Sequence, residues 1–231
     1  MTLLCFGGMR ASQGLSSVEF DRLCQHAEIL EQDARGVKVL RLADGNILKI
    51  FRLRRLFSSA RFYSYARRFC LNAERLYKFG VPTVRIRQLL HFHDSSNSAV
   101  LYEPLPGLTV RQVLHAGHMT PELGAKIGRF IARLHGLGVY FRSLHLGNIV
   151  LTPDGELGLI DIADMSICHR NLRWTERQRN FRHLHRYPND IRQMGRPTWE
   201  MLLQAYFNSS ELIPRATGKL EQALQRFSAF E

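Results

Sequence analysis

The chain has 231 residues, 45% of them hydrophobic and 23% charged. These are globular proportions, sufficient for one large core or two smaller lobes, and they exclude a disordered, collagen-like or coiled-coil chain. Lys plus Arg number 32 against 20 Asp plus Glu, a formal net charge of +12, which points to an anionic partner: nucleic acid, a phosphorylated substrate or an acidic membrane surface.

The first fifty residues read as strands. Glu28 to Glu31 alternates, Val37 to Leu42 alternates more clearly, and the Asp44-Gly45 turn leads into Ile47 to Phe51. A helix is expected next, with Ser58 or Ser59 as its cap, Phe62, Tyr65, Phe69, Ala73 and Leu76 on its apolar face, and Gly80 with Pro82 as its stop. Ile86 to Phe92 and Ala99 to Tyr102 then form a hairpin around the polar turn Asp94 to Ser98. Glu103-Pro104-Leu105-Pro106-Gly107 breaks the pattern and divides a first lobe, 1–103, from a second, 104–231.

In the second lobe Thr120 caps a helix with Pro121 at its first position, and Leu123, Ile127, Phe130, Ile131, Leu134 and Leu137 form its buried stripe. A short hairpin is expected from Ile149-Val150-Leu151, the turn Thr152 to Gly155, and Leu157 to Ile162. From about Arg173 onward the pattern is helical. No apolar run reaches the ~20 residues of a membrane span. Leu3 to Phe6 has no basic segment before it, so no signal peptide is expected. Cys5, Cys24, Cys70 and Cys168 lie far apart and read as reduced thiols, and the pairs His91/His93 and His183/His185 lack the company of a metal site. The expectation is a cytoplasmic protein.

Two groups of residues stand out. Lys49 lies in the third strand, and between Asp44 and Asp94 eleven Lys or Arg meet one acid, Glu74, inside the helix that follows. A single acid in so basic a helix points to a specific ion pair with Lys49. Further on, Asn148 precedes one strand of the short hairpin and Asp161 follows the other. Hairpin pairing brings an amide oxygen and a carboxylate together, a pair that suits Mg²⁺, a hard cation taking oxygen ligands.

Lys49, Glu74, a linker, a long helix running into Leu134 to Val139, the loop Leu144 to Leu151 and then Leu159-Ile160-Asp161 follow the order of the protein-kinase-like fold. The closer resemblance is to the bacterial lipopolysaccharide kinases that phosphorylate Kdo or heptose of the inner core, and within them to the pseudomonad proteins labelled toluene tolerance. It rests also on Arg67 to Leu76, Gly80 to Thr83 and Arg179 to Leu184, and runs from about residue 26 to 210. The resemblance implies a two-lobed α+β fold, with an N-terminal antiparallel sheet carrying one helix and a mainly helical C-terminal lobe. It implies ATP and Mg²⁺ as cofactors. Lys49 would hold the α- and β-phosphates and Glu74 would hold Lys49. Backbone groups of Glu103 to Leu105 would face the adenine, and Asn148 and Asp161 would carry Mg²⁺. The turn Gln32 to Gly36, with Arg35 and Gly36 at its tip, would sit over the phosphates, although it has one glycine where protein kinases have several.

The family pattern places His-x-Asp at 141 to 143, where this chain has Phe141-Arg142-Ser143. The aspartate that accepts the substrate's proton is a serine, and Asp164 and His145 are the nearby groups able to replace it. A positioned base contributes ~10²–10⁴-fold, while positioning and metal carry much of the rest. Two readings follow: a working phosphotransferase with a relocated base, or a pseudokinase that binds nucleotide or a partner. A third is a nucleic-acid-binding module, from six arginines interleaved with aromatics between Phe51 and Phe69. That stretch equally suits an anionic membrane surface or a phosphorylated glycolipid, the preferred partner outside the nucleotide site, which would place the protein at the inner membrane periphery.

Overall fold

The computed structural model describes residues 12–34, 36–52 and 65–225, and the chain divides into two compact units. The first comprises Met1–Leu71 and Val84–Pro104, the second Asn72–Thr83 and Leu105–Glu231.

The first unit is a six-stranded sheet. Three strands fall where the alternation places them: β2 (Glu28–Asp33), β3 (Gly36–Arg41) and β4 (Ile47–Phe51), joined by antiparallel ladders and the Asp44-Gly45 turn. The second hairpin, β5 (Arg85–Phe92) and β6 (Ser98–Glu103), places β6 against β4. Two elements depart from the all-strand reading of the first fifty residues. The short strand β1 (Gln13–Leu15) joins β5 in parallel, and the helix α1 (Ser17–Cys24) follows it. Ser16 and Glu19 cap α1 reciprocally, each side chain bonding the other's backbone N–H. The core of this unit is Leu15, Leu40, Leu48, Ile50, Leu90 and Ala99, the inward positions of their strands.

The basic helix is described from Tyr65, as α2 (Tyr65–Lys78). Its expected cap at Ser58 or Ser59, and most of the basic and aromatic stretch from Phe51 to Phe69, lie outside the described residues. Phe69 is fully buried, its ring 5.8 Å from Phe51 and 5.2 Å from Tyr102.

In the second unit β7 (Leu108–Thr109) and α3 (Val110–His115) precede α4 (Pro121–Gly136), which starts at Thr120 and Pro121 as expected. Ile127, Phe130, Ile131 and Leu134 are buried. The rest of the chain is α5 (Trp174–Leu184), α6 (Pro188–Met194), α7 (Arg196–Ser209) and α8 (Pro214–Gln225). Helices α4 and α7 approach closely enough that a Cβ on Gly128 would lie 2.1 Å from the Leu202 carbonyl oxygen. Backbone cannot swing aside as a side chain can. Gly128→Ala is therefore expected to cost about 3 kcal/mol, lowering Tm by roughly 6–12 °C, and a thermal melt measures it directly.

Four polar side chains are buried together between α4, α5 and α7: His135, Arg177, Asn180 and Tyr206. Burial, with the Arg177 charge added, drives His135 from 6.5 down to about 3. In the unfolded chain this imidazole titrates near ~6.5. Between those values the unfolded state binds the extra proton, so stability is full above ~6.5 and is lost as pH falls toward the folded value. Melts between pH 7 and pH 4 should show this loss, and a His135→Gln variant should give a flatter profile.

Candidate active site

Strand pairing in the second unit assembles the loop. Strand β8 (Val139–Phe141) leads through residues 142–148 to β9 (Ile149–Leu151), and β10 (Leu157–Leu159) leads through 160–164 to β11 (Met165–Ile167). Because β9 pairs with β10 and β8 with β11, the two connecting segments must face each other. Backbone bonds tie them at both ends: Ile160 N–H donates to the Asn148 carbonyl (3.1 Å), and Arg142 N–H to that of Asp164 (3.4 Å).

Asn148 and Asp161 thus lie on the two facing segments, Asp161 one residue past the Ile160 that bonds the Asn148 carbonyl. Asn148 closes a 3-10 turn and is buried. Its Nδ2 donates to the Ser143 carbonyl at 2.9 Å, which assigns Oδ1 as the acceptor atom. Asp161 adopts a left-handed conformation, φ 52° and ψ 44°. A non-glycine residue held there stores on the order of 1–3 kcal/mol, a strain that clusters at functional sites. An amide oxygen and a carboxylate are donors of the kind a hard divalent cation takes.

The same segment is braced by residues 72–83. Asn72 Nδ2 donates to the carbonyls of Ile162 (2.8 Å) and Met165 (3.0 Å), fixing the turn that carries Asp164. Thr83 Oγ1 donates to Leu159 O (2.7 Å), and Leu159 N–H to Pro82 O (2.9 Å). Gly158 sits where a Cβ would meet the Pro82 carbonyl oxygen at 2.5 Å and Leu105 Cδ2 at 2.6 Å. Glu74, from the same stretch, is ion-paired with Lys78 one turn along the helix at 2.7 Å.

Of the two groups that the sequence offered in place of the aspartate, His145 is hydrogen-bonded at one ring nitrogen. Nδ1 accepts Gly147 N–H at 3.1 Å, and Nε2 lies 3.2 Å from Asn148 Nδ2. Accepting at Nδ1 leaves the neutral ring's hydrogen on Nε2, facing the Asn148 amine without a hydrogen bond, and a protonated ring would lose the Nδ1 bond as well. Burial and the Arg111 charge also lower its pKa, against the opposing pull of Asp190 and Asp161. Neutral His145 is a staple of the loop. Asp164, by contrast, presents a partly exposed carboxylate 3.9 Å from Arg142 Nη1, beside Ser143.

Three residues that the sequence did not single out complete this region. Arg111 bonds Asp190 through Nε at 2.8 Å and stacks 4.4 Å from the centre of the Tyr187 ring, which is itself 4.6 Å from the His145 ring. The Arg111 Nη2–Asp190 distance is also 2.8 Å, but its angle does not make a hydrogen bond. A Cβ on Gly147 would fall 2.9 Å from Arg111 Nη1, so the glycine makes room for the guanidinium.

In the first unit, Lys49 is 8% exposed at the centre of the sheet, its backbone opposite Val39 and Val100. Its ammonium lies 5.8 Å and 5.9 Å from the centres of the Phe51 and Phe69 rings. A lysine kept in such surroundings differs from the outward strand lysine its neighbours alone would suggest. Gly36, at φ 104°, ends the β2–β3 turn, which Arg52 braces by bonding Asp33 at 2.9 Å. Arg35 lies outside the described residues. Glu103, at the end of β6, is ion-paired with Arg87.

The first unit thus holds a buried strand lysine, and the second holds an asparagine and an aspartate at the ends of one hairpin with a turn held by a helix asparagine. Residues 96–206 match the model of the Lipopolysaccharide kinase (Kdo/WaaP) family, which bears out the resemblance to lipopolysaccharide kinases; the narrower likeness to toluene tolerance proteins is not shown by it. A 3-deoxy-D-manno-octulosonic acid kinase of Xylella fastidiosa (strain M12) is 29% identical over 97 residues, 42% of this chain. The match spans 39% of that relative's length. Among solved structures, a divergent kinase lacking the glycine-rich loop, which regulates membrane ultrastructure of the Toxoplasma parasitophorous vacuole, is 18% identical. It is similar over 81% of this chain and 68% of its own, with a TM-score of 0.42. Among the described residues no helix is long and apolar enough to cross a membrane.

Proposed function

We propose that this chain is an ATP- and Mg²⁺-dependent phosphotransferase acting on a hydroxyl of a lipopolysaccharide inner-core sugar. The observation that carries the reading is the convergence of Asn148 and Asp161, oxygen donors set on facing segments by strand pairing. Asn148 Oδ1 and the Asp161 carboxylate would hold Mg²⁺, and Lys49 would neutralise nucleotide phosphate. Bound Mg-ATP supplies the transferable phosphoryl group and shields its charge. Asp164 takes the acceptor's proton in place of the absent aspartate, because it brings a carboxylate to the residue beside Ser143. An anionic membrane or phosphorylated glycolipid is the partner that the +12 charge favours.

The test is calorimetric titration of the full chain with ATP, with and without Mg²⁺. Mg²⁺-dependent binding supports the reading; no binding in either condition overturns it and leaves a partner-binding role. Turnover with lipopolysaccharide inner-core acceptors then separates an enzyme from a nucleotide-binding pseudokinase.

A further inference from the structure

The four buried polar residues form a chain with a direction. Arg177 Nη1 lies 3.3 Å from the Tyr206 hydroxyl oxygen, and that oxygen is 2.9 Å from His135 Nδ1. His135 Nε2 is 3.3 Å from Asn180 Oδ1. Asn180 Oδ1 also accepts Phe141 N–H at 3.3 Å, and its Nδ2 donates to the Phe141 carbonyl at 3.3 Å.

An arginine can only donate. With Arg177 at its head, the Tyr206 oxygen receives a hydrogen, and its own buried hydrogen is satisfied by going to His135 Nδ1, its other partner among the described residues. The imidazole is then the Nε2–H tautomer and donates to Asn180 Oδ1. That leaves the amide one orientation, oxygen toward Phe141 N–H and nitrogen toward Phe141 C=O. Every link agrees with the next. Burial and Arg177 favour a neutral His135, and burial pushes the Tyr206 hydroxyl up to about 12, so both keep the protons this order needs.

Arg177 is wholly buried, and among the described residues no carboxylate pairs with it. Its Nε donates to Leu172 O at 2.8 Å, and its Nη2 has no hydrogen-bond partner among them. Such a cation is costly to bury, and a hydrophobic residue of similar volume would be cheaper. What an apolar residue could not do is supply the donor at the head of the chain, which agrees in direction with the Phe141 peptide at its foot.

We propose that Arg177, through Tyr206 and His135, fixes the amide orientation of Asn180, and that Asn180 is a positioning residue clamping the Phe141 peptide at the root of the Ser143–Asn148 loop. The loop's catalytic meaning rests on the phosphotransferase reading; the clamp itself does not. Phe141 lies two positions before Ser143, whose carbonyl orients Asn148, so a loosened Phe141 peptide frees the loop that carries the metal-facing oxygen.

The test uses the full chain labelled with ¹⁵N-histidine. Long-range ¹H–¹⁵N spectra of the wild type should show His135 as the Nε2–H tautomer, not titrating between pH 8 and pH 5. Arg177→Met keeps much of the volume and removes the fixed donor; it should yield mixed tautomers. Tyr206→Phe cuts the chain while keeping the ring. In both variants the amides of residues 141–148 should exchange about tenfold faster than those of α4 and α7, a local change that general destabilisation would not produce. An Nδ1–H tautomer in the wild type overturns the proposal. So does a fixed tautomer in Arg177→Met with loop exchange unchanged, or rising only in step with α4 and α7. If Arg177→Met does not fold, the wild-type tautomer and Tyr206→Phe decide. Failure of Mg-nucleotide binding in a wild type with the expected tautomer would count against the phosphotransferase reading alone.

Discussion

Replacing Asp161 by asparagine should abolish Mg²⁺-dependent nucleotide binding while leaving the fold intact. Loss of a metal-ligating carboxylate is expected to cost on the order of 10²-fold or more in affinity, since disturbing even an outer partner of a ligand costs ~10–100-fold. Asparagine is the informative substitution because of the backbone. Asp161 sits at φ 52°, ψ 44°, a conformation that Asn and Asp tolerate and most other side chains do not. Asp161→Ala would remove the carboxylate but add backbone strain, confusing lost binding with lost stability. Asp161→Gly provides the complementary control: it relieves the strain, so Tm should hold or rise while binding is still lost. Calorimetry with and without Mg²⁺, run beside thermal melts, reads both effects. Wild-type affinity in Asp161→Asn would remove this residue from the nucleotide site.

The second large effect concerns the proton. If Asp164 stands in for the absent aspartate, Asp164→Asn should lower turnover by ~10²–10⁴-fold, the usual contribution of a positioned base. Nucleotide affinity should change little, because Asn148 and Asp161 are untouched. Ser143→Asp in that background should restore much of the loss by returning a carboxylate to the family's position. In the wild-type background the same change should do far less. Non-additivity of this kind identifies two groups serving one role. Should Asp164→Asn be harmless and Ser143→Asp raise turnover steeply on its own, the chain is an impaired kinase without a base. Arg142 is the internal control: it faces Asp164 at 3.9 Å across exposed surface, where an ion pair adds little, so Arg142→Gln should leave stability nearly unchanged.

Much of the frame was legible before any coordinates. Strands β2, β3 and β4 announce themselves by alternation and by Asp44-Gly45, and α4 by Thr120, Pro121 and its apolar stripe. The β9–β10 hairpin, with Asn148 before one strand and Asp161 after the other, was legible too, because a short hairpin with a clear turn has a register that can be counted. Strand β1 and helix α1 escaped, although Ser16 and Glu19 carry the spacing of a capping box. Their run is short, and β1 is defined by a parallel partner more than seventy residues away. Strands β8 and β11 escaped for a similar reason. Three residues show no period, and only their pairing places Asp164 next to Arg142.

The sequence by itself determined strands β2 to β6, helix α4 and the β9–β10 hairpin, the basic charge, the lysine in a strand and the serine where the family has aspartate. These follow from local periodicity, turn chemistry and residue identity, which act over a few positions. Tertiary structure alone decided which polar groups leave the surface. Nothing in the pattern marks Arg177 as buried, since arginine ordinarily stays in water, and His135 sits unremarked within an apolar stripe. Their burial is settled by the meeting of α4, α5 and α7. There the loss of water obliges each donor to find an acceptor, and the order in which they do so reaches the backbone of the loop.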